Sequence, residues 1–541
     1  MSSTSTKVLI VGAGPTGLVL ALRLARHGVP FRIIDRNGGP GQASRAVAVQ
    51  ARTLEFYRQL GFADAVVALG IPMRAVHLRE DGEEVASIPL AELGAALSPY
   101  PFALCFPQDD HERFLTARLE AAGAVVEWGV ELRGFTQDAE GVEATLVQGG
   151  RETRCRVAYI CGCDGAHSQV RESLGLGFPG GTYRHLFYVA DVAVEGGFKT
   201  DIYANVDRDG LALMFPVRSS GMQRLIGIVP EAAGKSVSEG LGDRDRLEFE
   251  DVRASAEAVF GVRVTEVNWF STYHVHHRVA DHFRIGRAFI AGDAGHIHSP
   301  AGGQGMNTGI GDAVNLSWKL AEVLGGRAAP AILDTYETER IAFARSLVAT
   351  TDRAFQGLVG SGPGSRFLRG WLVPNLLPAL TGFAAVRRLL FRTVSQIRIA
   401  YADSALSGGK AGEVAGGDRL PWVPMAAGDN FASLAGLDWR LHVYGTAEPG
   451  LSAAASRLGL PLDAFPWTEA AGQAGLRRDA AYLLRPDMHV ALALAEQEAD
   501  KLQAFVARHG LVFGRAGVER NSDVAAIGGS PSIPPASMDR R

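Results

Sequence analysis

A chain of 541 residues is too long for one ordinary domain, so two or three are expected, with ample room for core. With 47% hydrophobic and 21% charged residues the composition is that of a globular protein, and a formal net charge of -4 excludes a general nucleic-acid footprint. The four cysteines, Cys105, Cys155, Cys161 and Cys163, all lie in the first third, and Cys161 and Cys163 are too close for an ordinary bridge. No charged-then-apolar signal segment opens the chain, and the cytoplasm is the simplest address. Residues 370–386 are apolar but hold Pro374 and Pro378 and fall short of the ~20 residues of a membrane span. A buried or interface helix pair is expected there, and no membrane partner.

In chain order, residues 7–11 read as a short buried strand, broken by Gly12-Ala13-Gly14-Pro15-Thr16-Gly17. A helix over 18–27 stops at Gly28, and residues 30–35 form the next strand, completing a βαβ unit. Helices are predicted over 45–61 and 110–122, with strands near 125–132 and 142–147. From about 183 to 269 strands dominate (200–204, 211–217, 224–229), which predicts a sheet domain inserted into the first. The α/β pattern returns with a strand at 288–292, a glycine-rich loop and a helix over 310–324. Residues 330–400 read as mostly helical, and 408–412 as a boundary. Strand-like pieces at 439–443, 481–484 and 490–494 precede a closing helix, and a Ser/Pro/Gly/Ala-rich tail from 517 is expected to be disordered. The expected domains are 1–182 with 270–345, 183–269, a helical connection 346–412, 413–516, and the tail 517–541.

The first chemical motif is Gly12-x-Gly14-x-x-Gly17. Gly12 permits the tight turn, Gly14 lets a pyrophosphate reach the backbone, and Gly17 lets helix and strand pack closely. The helix start offers free N–H groups and partial positive charge to phosphates. The motif follows a strand, opens a helix and has Asp35 ending the second strand, the context a dinucleotide fingerprint requires.

Residues 289–307 run Phe-Ile-Ala-Gly-Asp293-Ala-Gly-His-Ile-His298-Ser-Pro300-Ala-Gly-Gly303-Gln304-Gly305-Met306-Asn307, ending an apolar strand with an acid and then exposing backbone. Here the sequence resembles the class A FAD-dependent aromatic hydroxylases, the p-hydroxybenzoate hydroxylase-like flavoprotein monooxygenases. The resemblance implies that Asp293 binds the FAD ribityl chain and that Pro300 and residues 302–307 lie against the isoalloxazine ring. A helix beginning near Met306 would aim its N–H groups at the flavin N1–C2=O edge, a stabilisation of ~0.3–1 kcal/mol. Residues 161–171, with Asp164 and Arg171, resemble the family's DG motif, associated with FAD and NAD(P)H; a plain strand-to-helix turn capped by Asp164 and Ser168 reads equally simply. By the same resemblance Arg45 meets the pyrophosphate, Gln108 lies over the cofactor, Arg36 follows the ribose acid, and Leu132 contacts adenine through its backbone. The likeness spans residues 7–345.

More weakly, 413–515 resembles an appended thioredoxin-like domain through residues 417–421 and 484–487. No cysteine follows Cys163, so a Cys-x-x-Cys pair is lacking and the domain is expected to be redox-inactive and to pack between subunits of a homodimer. The implied fold class is α/β: a GR2-type Rossmann-like FAD-binding domain, an inserted mostly antiparallel β-sheet substrate domain, and this C-terminal domain.

The function so implied is a monooxygenase in which NADPH or NADH reduces FAD, O2 gives a C4a-hydroperoxyflavin, and a phenolic or polyphenolic ring gains oxygen. The flavin carries the hard chemistry while the protein positions, desolvates and supplies charge. A phenol with pKa ~10 is ionised about one part in a thousand at pH 7, a cost of ~4 kcal/mol. A base would recover part of that. The candidates are His274 and His276, which share a strand face with Thr272 while Tyr273 and Val275 take the other, and His298 in the flavin loop. Each is equally a satisfied hydrogen-bonder. Tyr203, Met214 and Phe215 could line an apolar pocket or simply pack the core. No metal-type Cys/His spacing is present. The rival readings are Baeyer–Villiger or epoxidation tailoring of a polyketide with the same cofactor, and a non-catalytic flavoprotein that sequesters a ligand.

Overall fold

The computed structural model describes residues 6–41, 46–80, 83–90, 94–195, 201–207, 210–217, 221–230, 247–299, 303–359 and 383–514. Its first sheet grows from the strand Val8–Val11, whose four side chains are all buried. Phe31–Asp35 and Tyr159–Gly162 flank it in parallel, and the full order is Arg284–Ile285, Ala288–Ile290, Tyr159–Gly162, Val8–Val11, Phe31–Asp35, Val126–Trp128. A parallel sheet is covered on both faces, which is why these strands read as unbroken apolar runs. The expected strand over 125–132 is in fact two. Gly129, at φ +69°, turns the chain out of the parallel sheet, and Val130–Gln137 starts a separate antiparallel sheet with Val142–Gln148 and Arg151–Val157.

Between the neighbours Tyr159–Gly162 and Ala288–Ile290 the chain builds most of an eight-stranded sheet. Its order is His296–Ile297, Arg263–Val279, Gly180–Glu195, Met222–Ile228, Gly210–Val217, Ile202–Asp207, Ala75–Glu80, Glu83–Pro89. Every pairing is antiparallel except Ile202–Asp207 with Ala75–Glu80. The sheet therefore exceeds residues 183–269. The ladder of its two long strands runs on to Gly180 and Arg278, with a register irregularity between Thr182 and Leu186, and an earlier hairpin closes the far edge. Helix Glu250–Phe260 covers one face, over Tyr188, Ala190, Met214 and Leu225. The opposite face packs Phe215 with Val47, Met73 and Cys105.

Helices Asp334–Val359 and Ala384–Val394 lead to a C-terminal sheet ordered Val414–Ala415, Gly408–Ala411, Val490–Leu494, Ala481–Leu484, Arg440–Tyr444, Leu462–Phe465. At the boundary expected near 408–412 the strand Gly408–Ala411 joins the C-terminal sheet, and Gly409 serves close pairing: a Cβ there would stand 2.1 Å from the Ala493 carbonyl oxygen. Most of the apolar stretch 370–386, and the tail 517–541, lie outside the described residues. Among the described residues no helix is long and apolar enough to cross a membrane, and no cluster could hold a metal. All four cysteines are free and buried.

Buried charges join the C-terminal sheet to the rest. Glu339 accepts from Lys319 (2.8 Å) and Arg485 (2.8 Å), and Asp487 accepts from Trp318 Nε1 (3.0 Å). Arg419 binds Glu55 (2.9 Å), which also pairs with Arg52 (2.9 Å). Burial opposes the charge on Glu339, but Arg485 and Lys319 win and hold its pKa down at about 2. Removing one partner of such a pair leaves an uncompensated charge, at a cost of ~3–5 kcal/mol. Glu339→Gln is expected to lose stability of that order in urea unfolding; a loss below ~1 kcal/mol, the range of exposed pairs, would show that the network is solvated in solution.

Candidate active site

The glycine turn has one open side. A Cβ on Gly12 (φ +102°) would stand 2.3 Å from the Cys163 carbonyl oxygen, and one on Gly17 would stand 2.0 Å from the Gly12 carbonyl oxygen. One on Gly14 would meet nothing within 4 Å. Helix Pro15–Arg26 has proline at its start and no side-chain cap, so the Thr16 and Gly17 amides face that open side without a capping oxygen. Asp35 closes the turn from the second strand: its Oδ2 accepts from the Ala13 amide (2.8 Å) and its Oδ1 from the Asn37 amide (2.8 Å). Arg36 is exposed beside it.

Gln108 opens helix Gln108–Ala121 and donates to Glu112 (2.8 Å), while Glu112 accepts from the Gly41 amide (2.9 Å). Burial raises the Glu112 pKa. Sequence reading missed Glu112, although Gln-x-x-x-Glu is the spacing of paired side chains on a helix. Arg45 lies outside the described residues; Leu132 is buried in strand Val130–Gln137. Asp164 does act as a cap, accepting from Ser168 Oγ (2.6 Å) and the Val170 amide (3.2 Å), and its burial raises its pKa. Arg171 carries the turn to the flavin loop by donating to the Ala294 carbonyl (3.0 Å).

In that loop Asp293 sits exposed on the single turn Gly292–Ala294. Thr16 wedges between the loop and the next helix: a Cβ on Gly292 (φ +62°) would stand 2.6 Å from Thr16 Oγ1, and one on Gly309 would stand 2.4 Å from it. Helix Gly305–Leu324 begins one residue before the expected Met306, again without a side-chain cap. Pro300 lies outside the described residues. Gln304 is buried and Gly305 and Met306 are half-buried, whereas Gly303 is exposed and, at φ +61°, brings its Cα side against Ala48. Asn307 differs from expectation. Its side chain is spent inside the protein, accepting from the Gln50 amide (2.9 Å) and Thr53 Oγ1 (2.8 Å) and donating to the carbonyls of Ala48 and Gly303 (2.9 Å each). It braces the loop; only its backbone remains to face a ring.

The three histidines do not assemble a base. Thr272 pairs with Tyr188 in the core under helix Glu250–Phe260, so period two puts His274 and His276 on that covered side, away from Phe215. His274 is exposed, and His276 is tied to Thr182 Oγ1 (2.8 Å), its pKa lowered by burial and by Arg278. His298 Nδ1 lies 2.7 Å from the Ser299 carbonyl and so carries the proton, leaving Nε2 an acceptor, buried without a partner. Burial lowers the His298 pKa to about 4. That direction disfavours His298 as the acceptor of a phenol's proton.

Met214 and Tyr203 are also corrected. They pair with each other on the covered face, Met214 fully buried and Tyr203 stacked on His77 at 4.8 Å. Phe215 alone of the three takes the other face, beside Ala48, the residue bound by Asn307. Register places Arg224, Asp191 and Trp269 in its row, with Tyr273 and Phe187 further along.

An open pyrophosphate turn, two uncapped helix starts and an exposed carboxylate on the loop between them fit a flavin dinucleotide. Residues 5–351 match the family described as "FAD binding domain". The chain belongs to that family. It is an FAD-dependent monooxygenase of the aromatic hydroxylase group. It is similar to 6-methylpretetramide 4-monooxygenase from Streptomyces rimosus, at 38% identity over 432 residues, covering 76% of this chain and 72% of that one. It is 32% identical over 436 residues to pentachlorophenol 4-monooxygenase from Sphingobium chlorophenolicum, covering 78% and 77%. Among solved structures, the flavin-dependent monooxygenase PieE in complex with FAD and substrate matches with a TM-score of 0.77 at 26% identity, over 94% of this chain and 99% of that one.

Two outcomes follow from this geometry. Gly17→Ala forces a methyl into the Gly12 carbonyl and is expected to lower the melting temperature of the apoprotein, whereas Gly14→Ala leaves it unchanged but weakens FAD binding in a fluorescence titration. Separately, burial holds His111, His298 and His442 at about 3, 4 and 3. Their unfolded values lie near ~6.5, so the unfolded chain takes up protons first and stability is lost as pH falls from about 6.5 towards 4. Urea midpoints at pH 7.5 and pH 5 should differ in that direction; equal midpoints would mean the three rings are solvated.

Proposed function

We propose that this enzyme hydroxylates the phenolic ring of a large, flat polycyclic aromatic, using NADPH or NADH and O2. The observation that carries this reading is the sheet face opposite the flavin loop. It bears the half-buried Trp269 and Tyr273 beside the buried Phe215 and Phe187, and its charges, Arg224 and Asp191, neutralise each other in a bidentate pair (2.7 Å each). Such a face suits a wide apolar ring system held by contact area rather than a small anion held by a charge. The activities of the relatives, on 6-methylpretetramide and on pentachlorophenol, both concern phenolic aromatics.

In this reading the Gly12–Gly17 turn holds the pyrophosphate with Arg45. Asp35 takes the ribose, with Arg36 beside it, and Leu132 meets adenine. Asp293 takes the ribityl chain, and Pro300 with residues 303–307 supports the ring. Gln108, fixed by Glu112, and Asp164, through its cap, shape the walls. Bound FAD supplies the oxygen-activating chemistry. The chain's own residues exclude water, and the uncapped start of helix Gly305–Leu324 favours negative charge at its end by ~0.3–1 kcal/mol. The six-stranded sheet with its two glycine-rich loops forms the GR2-type FAD domain, and the eight-stranded sheet is the substrate domain. The C-terminal sheet is a thioredoxin-like domain lacking Cys-x-x-Cys, in a cytoplasmic homodimer. Mass spectrometry of aerobic NAD(P)H reactions with simple phenols and polycyclic polyphenols tests the proposal. A polycyclic product heavier by one ring oxygen, in proportion to cofactor oxidised, is expected. Turnover confined to simple phenols, or a lactone or epoxide instead of a phenol, would overturn it.

A further inference from the structure

One fully buried carboxylate beside the flavin loop has no part in the reading above. Asp312 lies two turns into helix Gly305–Leu324 and is wholly excluded from solvent. Its Oδ2 accepts from the Gly292 amide (2.9 Å) and from His296 Nε2 (2.7 Å), and its Oδ1 accepts from Arg340 Nε (2.5 Å). Burial disfavours its charge, yet Arg340 and His296 outweigh burial and keep it ionised. The three bonds land at telling places. Gly292 directly precedes Asp293, and His296 belongs to the short strand that docks the loop on the eight-stranded sheet. Arg340 passes the constraint on: its Nη2 donates to the Thr308 carbonyl (3.0 Å) in the first turn of the helix, and its Nη1 to Tyr401 Oη (2.9 Å). Gly311 leaves it room, since a Cβ there would stand 3.2 Å from Nη2. Gln396 adds a bond to Thr308 Oγ1 (2.8 Å).

The entry of the loop at Gly292 and its exit at Thr308 are thus fastened to one ion pair, Asp312 with Arg340. Resting on the FAD reading above, we propose that Asp312 is a positioning residue. Through Gly292 and Arg340 it fixes the ribityl-binding turn and the start of helix Gly305–Leu324 relative to each other, so that both meet the cofactor at once. A carboxylate suits this task because it accepts several bonds at once from amide, imidazole and guanidinium, and bonds to a charged group are the stronger ones. An amide in its place would have to turn its NH2 towards one of those donors.

The test compares Asp312→Asn with Glu339→Gln, an equally buried carboxylate on the same helix as Arg340 that faces the C-terminal sheet. Apoproteins are refilled with FAD, and binding, melting temperature and the visible band of bound flavin are recorded. Both variants are expected to melt earlier. Only Asp312→Asn is expected to raise the FAD dissociation constant about tenfold or more, some 1.4 kcal/mol, and to shift the visible band, which a loss of stability alone does not move. Arg340→Lys keeps a positive charge beside Asp312 but cannot also reach Thr308; it serves if Asp312→Asn does not fold, with the same direction expected. FAD binding and spectra within about threefold of the parent, or an equal loss in Glu339→Gln, would overturn the proposal. A parent protein that binds no FAD would instead overturn the FAD reading itself.

Discussion

Everything in this enzyme's cofactor site depends on the close approach of two turns that lie far apart in the chain. Thr16, in the first glycine turn, sits where a methyl on either Gly292 or Gly309 would intrude, at 2.6 Å and 2.4 Å from its hydroxyl oxygen. A dinucleotide needs its phosphates at one of these turns and its ring at the other. The separation between them is therefore a fixed dimension of the fold, set by the absence of a Cβ at Gly292 and at Gly309. The parallel sheet makes this possible, because Val8–Val11 and Ala288–Ile290 both flank Tyr159–Gly162 and deliver their loops at the same edge.

That edge alone does not make the loop rigid. The described residues between Gly292 and Asn307 include little regular structure, and side chains that return to the backbone hold them. Asn307 ties the loop to Ala48 and Gln50, and Asp312 ties it to Arg340 and through it to Tyr401. Charge buried in this way is costly unless every partner is present. The same currency holds the C-terminal sheet in place through Glu339, Arg485 and Asp487. The back of helix Gly305–Leu324 is thus ionic while the sheet face across the loop is apolar.

Local geometry is what the sequence spelled out well. The glycine turn, its acid and the strand–loop–helix at 288–324 were legible because each is specified by neighbours in the chain: a positive φ at Gly12, a close packing at Gly17, an acid at a strand end. Face parity was legible too, since period two correctly separated His274 and His276 from Tyr273 and Val275. Which face would be covered was not, because that depends on helix Glu250–Phe260, packed from outside the strand. Met214 and Phe215 are adjacent and equally apolar, yet only one faces the loop. Asp312 was visible merely as part of a helical stretch. Its partners lie 20, 16 and 28 residues away and meet only in the folded molecule.

His276 and His298 are engaged in hydrogen bonds, so other features near the loop also bear on the chemistry. Burial lowers the pKa of His298 and disfavours it as a proton acceptor, and His276 is tied to Thr182. What remains near the loop is the field of an uncapped helix start and a desolvated apolar wall. Both act on negative charge that develops on the cofactor or ring, and neither removes a proton. A polyphenol whose neighbouring hydroxyls or carbonyls already share a proton internally begins with part of the ~4 kcal/mol recovered by its own structure. In the function proposed above, the half-buried Trp269 and Tyr273 suit such a substrate, and this links the shape of the sheet to the acidity of what it would hold.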